Sequence, residues 1–231
     1  MIVYGIPSGA CVLNAMSIVV RTLSDRVFEI VREQILKGQL PKGEPIRQDA
    51  LATELGISKI PLREALARLE QEGLLINHPN RGYYVQAMSR DQVDEIYALR
   101  LSIEPQAAAY ASGVATDDDR AVAKRAFTAL DTAAHSNLPD VAVRNREFHI
   151  ALVEPGRKVL TTHLVERLEV LAERYVIAHL EPAGRDARAH IEHQALFNAW
   201  LERDKRKVEK LLKEHIQGTL KDLRAQLKDA G

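Results

Sequence analysis

The sequence predicts a mainly α-helical protein, with a winged helix-turn-helix at its N-terminal end followed by an all-helical bundle of about six helices. Three observations support this fold class. Short helices with glycine stops and one β-like hairpin occupy residues 21–88, and longer amphipathic segments fill the rest of the chain. Aromatic residues make up only 5% of the chain, while Ala, Leu, Glu, Arg and Lys abound, and this mixture favours helix over sheet.

The chain divides into three predicted ranges: a flexible leader at 1–20, a winged helix-turn-helix domain at 21–88, and a helical domain at 89–231. The leader carries no charged residue, and glycine and proline interrupt its apolar run. A signal peptide would need a basic start, so we predict a disordered segment, or a true start at Met16, and no membrane span.

Charge and cysteine content say little about partners. Lys+Arg and Asp+Glu are balanced at 32 each, and between Ser17 and Met88 the counts are 10 and 9. A nucleic-acid site would therefore have to rest on a local basic face rather than on bulk charge. The single cysteine, Cys11, excludes an internal disulfide framework and fits a reducing, cytoplasmic location.

Helical spacing and turn residues place the elements of the first range. A helix from Leu23 to Leu36 stops at Gly38, and a second ends at Gly56. Ser58 is expected to cap a third, which ends before Gly73. The predicted positions are helices at 23–36, 49–55 and 58–72, and strands at 74–77 and 83–86.

Breaks rich in proline, glycine and aspartate divide the remaining residues into six helices. Ser89 is the predicted N-cap of the first of these helices, with Gln92 in the capping-box position. The expected ranges are 89–112, 117–134, 139–153, 157–179, 185–201 and 205–228. Six helices of this length can enclose a cavity as a bundle.

A helix, a tight turn and a capped second helix, followed by a hairpin, form the layout of a winged helix-turn-helix. Lys59 and Arg63 lie four residues apart, on a face that the apolar stripe does not use. The N-terminal end of such a helix suits the major groove, where an arginine can grip guanine through two hydrogen bonds. The hairpin tip would place Arg81 against the neighbouring backbone or minor groove.

The run LATELGISKIPLREALARLEQEGLL, followed by RGYYV, resembles the N-terminal domain of the GntR family. The resemblance implies that the DNA contacts fall on Arg47, Ser58, Lys59, Pro61, Arg63, Arg81 and Gly82. The family usually has arginine where this chain has Lys59. Because lysine lacks the two-pronged guanidinium, a phosphate contact is the expected role at that position.

Three histidines in the helical range are predicted to lie close together in the fold. Asn145 and His149 lie four residues apart on one helical face, and His193 and His215 are equidistant from a polar turn at residue 204. In an antiparallel helix pair, such positions lie level. Three converging imidazoles predict a divalent-metal site. The other histidines are interpreted as surface or core-edge residues, with His190 the chief competitor of His193: His135, His163, His179 and His190.

The same range resembles the FCD effector domain of FadR-type regulators, through LRLSIE at 99–104, FH at 148–149, EH at 192–193 and LLKEHI near residue 215. The resemblance implies a metal, often zinc, held by a carboxylate and by His149, His193 and His215, with a small carboxylate ligand above it. The carboxylate position falls on Asn145, whose amide is a weaker ligand. Arg100 is expected either to bind an organic-acid effector or to pair with Glu104 on the helix surface.

These features together predict a homodimeric transcription regulator, acting as a repressor, that binds a palindromic double-stranded DNA operator and responds to a small organic-acid effector. Two alternatives stay open. One is a metal-dependent enzyme built on the three histidines, although Glu192 is expected to point away from them and no other general base is evident. The other is an architectural DNA-binding dimer without an effector.

Overall fold

The computed structural model describes residues 22–40, 43–134, 138–180, 182 and 184–227. The predicted leader therefore lies outside the described residues, as does His135. The described elements are α1 (Leu23–Leu36), α2 (Gln48–Glu54), α3 (Lys59–Gln71), β1 (Leu75–His78), β2 (Gly82–Val85), α4 (Arg90–Val114), α5 (Asp117–Ala133), α6 (Leu138–Val153), α7 (Val159–Leu180), α8 (Arg185–Leu201) and α9 (Lys205–Gln226). Among these helices, none combines the length and the apolar character needed to cross a bilayer.

Helices α1 to α3 and the hairpin share one apolar core. Val31, Leu62 and Leu66 are fully buried at its centre. Thr22 begins α1 through a capping box with Asp25, and Gly56 makes the turn between α2 and α3 with φ of +65°. Ile30 of α1 lies outside this core, with 43% of its surface exposed.

The two strands form an antiparallel hairpin, with Leu75 opposite Val85 and His78 opposite Gly82. The turn requires positive φ at Asn80 (63°) and at Gly82 (88°), which both residues tolerate better than most. Pro45 forms a single bridge to Tyr84 and so ties the segment before α2 to the hairpin. The tip, with Arg81, projects into solvent.

Helices α4 to α9 form the predicted bundle around a second core. Tyr97, Phe148 and Trp200 are fully buried there, and the Trp200 indole N–H donates to the Leu152 carbonyl at 3.0 Å. Ser89 caps α4 as expected, accepting from the Gln92 N–H. The mainly helical fold class with a two-stranded wing is confirmed.

A buried ion-pair network joins the winged helix to the bundle. Arg32 of α1 contacts the Glu173 carboxylate of α7, and its Nε lies 3.6 Å from Oε2 of Glu72. Arg146 of α6 approaches Glu173 from the other side at 3.3 Å. Because Arg32 and Glu173 are almost fully buried, both charges depend on their ion-pair partners for compensation. We name Arg32, Glu72, Arg146 and Glu173 the inter-domain network.

The connector between the two cores is anchored to α7. Arg174 donates to the Gln86 and Ala87 carbonyls and to Oε1 of Gln92, the last at 2.7 Å. The neighbouring Tyr175 hydroxyl donates to the same Gln92 oxygen at 2.9 Å. The Gln92 side chain is therefore occupied by α7 rather than completing a capping box at the start of α4.

His179 was expected at the surface or core edge, but it is buried on α7 at 4% exposure. Burial lowers its pKa from 6.5 to about 4, although Asp222, 3.7 Å away, opposes the shift. The unfolded chain therefore takes up a proton near pH 6.5, whereas the folded protein does so only near pH 4.

Stability of the metal-free protein is thus expected to fall as the pH drops through this window, with His179 contributing about 3 kcal/mol at 1.36 kcal/mol per pKa unit. Urea unfolding in EDTA at pH 7.5 and pH 4.5 measures the loss. His179→Gln should reduce it, whereas His163→Gln on the exposed face of α7 should not. Equal losses in all three proteins would contradict the assignment.

Candidate nucleic-acid interface and metal centre

The N-terminal end of α3 is open to solvent. Ser58, Lys59 and Arg63 are all exposed, and Pro61 is half-buried in the first turn, where proline is tolerated. Ser58 holds the N-cap position with extended backbone but makes no capping hydrogen bond through its side chain. The expectation that its hydroxyl caps α3 is therefore wrong, and Ser58 presents that hydroxyl at the exposed end of the helix.

Two further basic residues of the winged helix are exposed. Arg47 occupies the N-cap position of α2 and is exposed, and Arg81 stands at the tip of the hairpin beside Gly82. Lys59 forms an exposed ion pair with Asp49 of α2. Such a pair contributes little to stability in water, so the Lys59 ammonium can exchange its partner for a phosphate at small cost.

Ile60 is a feature that the sequence analysis missed. Its side chain is 70% exposed between Lys59 and Pro61. Ile60 therefore buries little of its apolar surface in the free protein. Apolar side chains in the major groove contact thymine methyl groups. Its exposure could have been predicted from the sequence, because Ile60 lies off the apolar stripe of α3.

Helices α6, α8 and α9 bring three imidazoles together inside the bundle. The ring centroids of His193 and His215 lie 4.6 Å apart, and each lies 5.6 Å from the centroid of His149. One nitrogen from each ring lies within 4.8 Å of the other two. Burial lowers the pKa of all three and so favours the neutral imidazole, which is the form that binds metal.

Histidine ring nitrogens without hydrogen-bond partners indicate whether the site can hold a metal. Both ring nitrogens of His149 and Nε2 of His193 are buried without a hydrogen-bond partner. A buried polar atom left in this state is costly, and a cation shared by the rings would satisfy it. His215 offers its Nε2 as well, because its Nδ1 lies 2.7 Å from Oε2 of Glu192. The three residues present therefore fit a divalent cation with nitrogen ligands.

A buried carboxylate pair lies behind His149. Glu104 and Glu169 approach His149 Nδ1 at 3.5 and 3.3 Å, and both contact the Arg100 guanidinium. Burial raises the pKa of Glu169. Burial opposes ionisation of Glu104 as well, but Arg100 and His149 together outweigh it and lower the Glu104 pKa to about 2. Carboxylates placed behind a histidine ligand orient its ring and raise its basicity.

Arg100 was predicted either to bind an effector or to pair with Glu104 at the helix surface. The structure pairs Arg100 with Glu104, at 2.7 and 3.1 Å, and with Glu169. The pair is buried rather than on the surface, because Arg100 is only 3% exposed. The Arg100 guanidinium is thus already paired with two carboxylates in the absence of a ligand.

Asn145 lies one helical turn before His149 and is buried. It lines a cavity of about 290 Å³ together with His193, and a second cavity of about 20 Å³ together with Arg100 and His215. The position that the resemblance assigns to a carboxylate ligand is therefore beside the three histidines. His190 stands apart from them, exposed at the edge of the larger cavity, with its Nδ1 3.2 Å from Asp131.

Glu192 corrects one sequence-based expectation. It was expected to point to another face of α8, yet its carboxylate contacts the His215 ring. Although burial opposes it, the hydrogen bond from His215 lowers the pKa of the Glu192 carboxyl, and the ionised group holds the His215 tautomer.

Replacement of Glu192 by Gln is expected to weaken zinc binding by about 10- to 100-fold, the usual effect of losing a carboxylate behind a histidine ligand. Competition with a zinc chelator measures the change. Glu202→Gln, at the exposed end of the same helix, is the matched control and should bind zinc as the parent does. Unchanged affinity in Glu192→Gln would show that Glu192 does not orient His215.

Known proteins resemble the chain over most of its length. The family pattern described as bacterial regulatory proteins, gntR family, matches residues 23–85, and the FCD domain pattern matches residues 95–218. The HTH-type transcriptional regulator YdhC of Bacillus subtilis is 26% identical over 191 residues, covering 82% of this chain and 84% of YdhC. The HTH-type transcriptional repressor RspR of Escherichia coli is 25% identical over 199 residues, covering 84% and 86%.

The structure of McbR/YncC from E. coli is also similar, with a TM-score of 0.71 and 26% identity over 89% of this chain and 99% of that protein. A winged helix joined to a helical bundle of this kind defines a DNA-binding transcriptional regulator. The chain belongs to the GntR family and carries an FCD domain, so the resemblance stated from the sequence is confirmed. Its relatives are regulators and not enzymes.

Proposed function

We propose that this regulator is a homodimeric repressor whose affinity for a palindromic operator is set by a small carboxylate bound at a metal in the bundle. The convergence of His149, His193 and His215 beside a cavity, with three buried ring nitrogens lacking a hydrogen-bond partner, carries the proposal. We keep the domain boundaries predicted from the sequence as part of the proposal, with the DNA-binding part at 21–88 and the sensing and dimerisation part at 89–231.

The proposed DNA contacts are the residues at the exposed end of α3 and its flanks. Arg63 would read a base edge, and Lys59 and Arg81 would contact phosphates or the minor groove. Arg47, Ser58, Pro61 and Gly82 complete the set. Supporting this assignment, the charged members of the set are all exposed, and Ser58 and Lys59 stand at the N-terminus of α3, a position that favours phosphate.

The proposed metal ligands are His149, His193 and His215, with Asn145 offering an amide oxygen. When bound, a divalent cation, with zinc the proposed ion, supplies a Lewis-acidic anchor for one carboxylate group of the effector. Glu192 is hydrogen-bonded to His215, and the Glu104 and Glu169 carboxylates lie behind His149. Arg100 binds the two buried glutamates and compensates their negative charge. It also lines the smaller cavity, where it could meet a ligand.

The inter-domain network provides a route from the proposed metal site to the DNA-binding part. His149 and Arg146 lie one turn apart on α6, and Glu169 and Glu173 lie one turn apart on α7. A change in how α6 and α7 pack around the metal site would therefore move the groups that hold Arg32 of α1. The coupling free energy expected for such an arrangement is about 1–3 kcal/mol.

Binding of the zinc-loaded chain to DNA that it selects from a random-sequence pool tests the function. We expect inverted-repeat sequences, a protein stoichiometry of two chains per site, and release by a carboxylate only when zinc is present. DNA binding that no carboxylate changes, by a protein that takes up no zinc, would instead favour the architectural alternative.

A further inference from the structure

We propose that the effector is a compact monocarboxylate with an apolar body, such as a single aromatic ring or a short alkyl chain, rather than a dicarboxylate or a sugar acid. The inference rests on the proposed function, because it places the carboxylate of the ligand at the metal site. It is carried by the cavity of about 290 Å³ that opens beside His193 and Asn145.

The floor and the walls of this cavity differ in chemistry. Asn145 and His193 are its buried polar residues and define the end that faces the metal site. Phe127, Leu130 and Leu180 contribute to apolar walls. The Phe127 ring stacks on Phe197 at 4.9 Å, and this contact holds the wall in place. The volume lies at the lower end of the roughly 300–1,000 Å³ typical of small-molecule sites, so the body of the ligand is small.

The mouth of the cavity is acidic. Asp131 and Asp186 are exposed there, and none of the described residues that line the cavity is lysine or arginine. His190 pairs with Asp131 at 3.2 Å, so the mouth presents two carboxylates and one imidazole. A ligand anchored by one carboxylate at the floor would direct a second one towards Asp131 and Asp186, and like charges repel.

The walls discriminate against hydroxyl groups in the same way. A sugar acid anchored at His193 would press its hydroxyls against Phe127, Leu130 and Val141, whose side chains offer no hydrogen bond. A buried hydroxyl that loses its water without gaining a partner is penalised, whereas a ring or an alkyl chain gains by leaving water. The cavity therefore selects one charged end and one apolar end.

Calorimetric titration of the zinc-loaded full chain with benzoate, hexanoate, succinate and gluconate tests the inference. Benzoate and hexanoate should bind at least about tenfold more tightly than succinate and gluconate. Succinate would place a second charge near the acidic mouth, and gluconate would place hydroxyls against walls that offer no hydrogen bond. Benzyl alcohol keeps the ring but lacks the carboxylate, so it should bind more weakly than benzoate. The benzoate signal should disappear in excess EDTA.

Two sets of variants separate the apolar wall from the acidic mouth. Val141→Glu adds a carboxylate at a half-buried wall position and should abolish benzoate binding, while Val122→Glu on the exposed face of α5 should not. Zinc content confirms that each variant folds. The double variant Asp131→Asn with Asp186→Asn changes only exposed side chains, and it should raise succinate affinity by about tenfold while leaving benzoate binding similar.

The outcomes distinguish this inference from the proposed function. Succinate or gluconate binding as tightly as benzoate, and releasing the selected DNA, would overturn the apolar monocarboxylate and leave the function standing. Unchanged succinate affinity in the double aspartate variant would also overturn it. If none of the four carboxylates binds the zinc-loaded chain or affects its DNA complex, both the inference and the effector-controlled function fail.

Discussion

Arg63→Ala is expected to reduce affinity for the selected DNA by about 10²- to 10⁴-fold. An arginine that grips a guanine through two hydrogen bonds contributes about 1–3 kcal/mol of discrimination, and a dimer would lose this contact in both half-sites. Arg63 is exposed and, within the described part of the chain, forms no ion pair or side-chain hydrogen bond. Its removal should therefore leave thermal unfolding nearly unchanged.

Arg68→Ala is the matched control for this experiment, since Arg68 lies on the same helix but faces α1. Its Nη1 lies 2.6 Å from Asp25, and its guanidinium lies 4.3 Å from the centre of the Phe28 ring. This variant should melt at a slightly lower temperature and bind DNA as the parent does. A gel-shift assay in which Arg63→Ala retains full affinity would refute the assignment of α3 as the recognition helix.

Replacing both His193 and His215 by Ala is expected to remove the bound metal. Each contributes one of the three imidazoles, and a single remaining histidine cannot hold zinc against a chelator. Elemental analysis should show zinc falling from about one equivalent per chain to background, and release of the selected DNA by carboxylates should disappear with it.

His163→Ala and His190→Ala provide controls for the loss of any histidine. His163 is exposed on α7, and His190 pairs with Asp131 at the cavity edge. Both variants should retain zinc. Because a buried His-to-Ala change also leaves a void, the melting temperatures are compared in EDTA, where the metal contributes to none of the proteins. Full zinc content in the double variant would rule out the three-histidine site.

Local patterns predicted most of the fold. Gly56 and Ser89 mark helix ends in the structure as they did in the sequence, because backbone conformation and capping depend on nearby residues. His193 and His215 were predicted to meet for a related reason. Two consecutive antiparallel helices place residues equidistant from their turn at the same level, so sequence distance alone predicts the contact.

Contacts between helices distant in the sequence were not predictable in this way. The Glu169 carboxylate reaches Arg100 and His149 from α7, and no periodicity states which face of α7 turns towards α4 and α6. The rotation of α8 that brings Glu192 onto His215 is likewise decided by packing. The burial of His179 was not predicted, because burial is read from the spacing of apolar residues and histidine is polar.

The inter-domain network affects whether the DNA-binding part of this regulator can be fused to the sensing domain of another. Arg32 and Glu72 come from the DNA-binding part, whereas Arg146 and Glu173 come from the bundle. A chimaera that joined this DNA-binding part to a bundle without the acidic partner would leave the buried Arg32 with Glu72 as its remaining carboxylate. Losing one partner of a buried ion pair costs up to about 3–5 kcal/mol. Grafting the DNA-binding part onto another sensor therefore requires transferring Glu173 and its surroundings, so the two modules are interchangeable only as a matched pair.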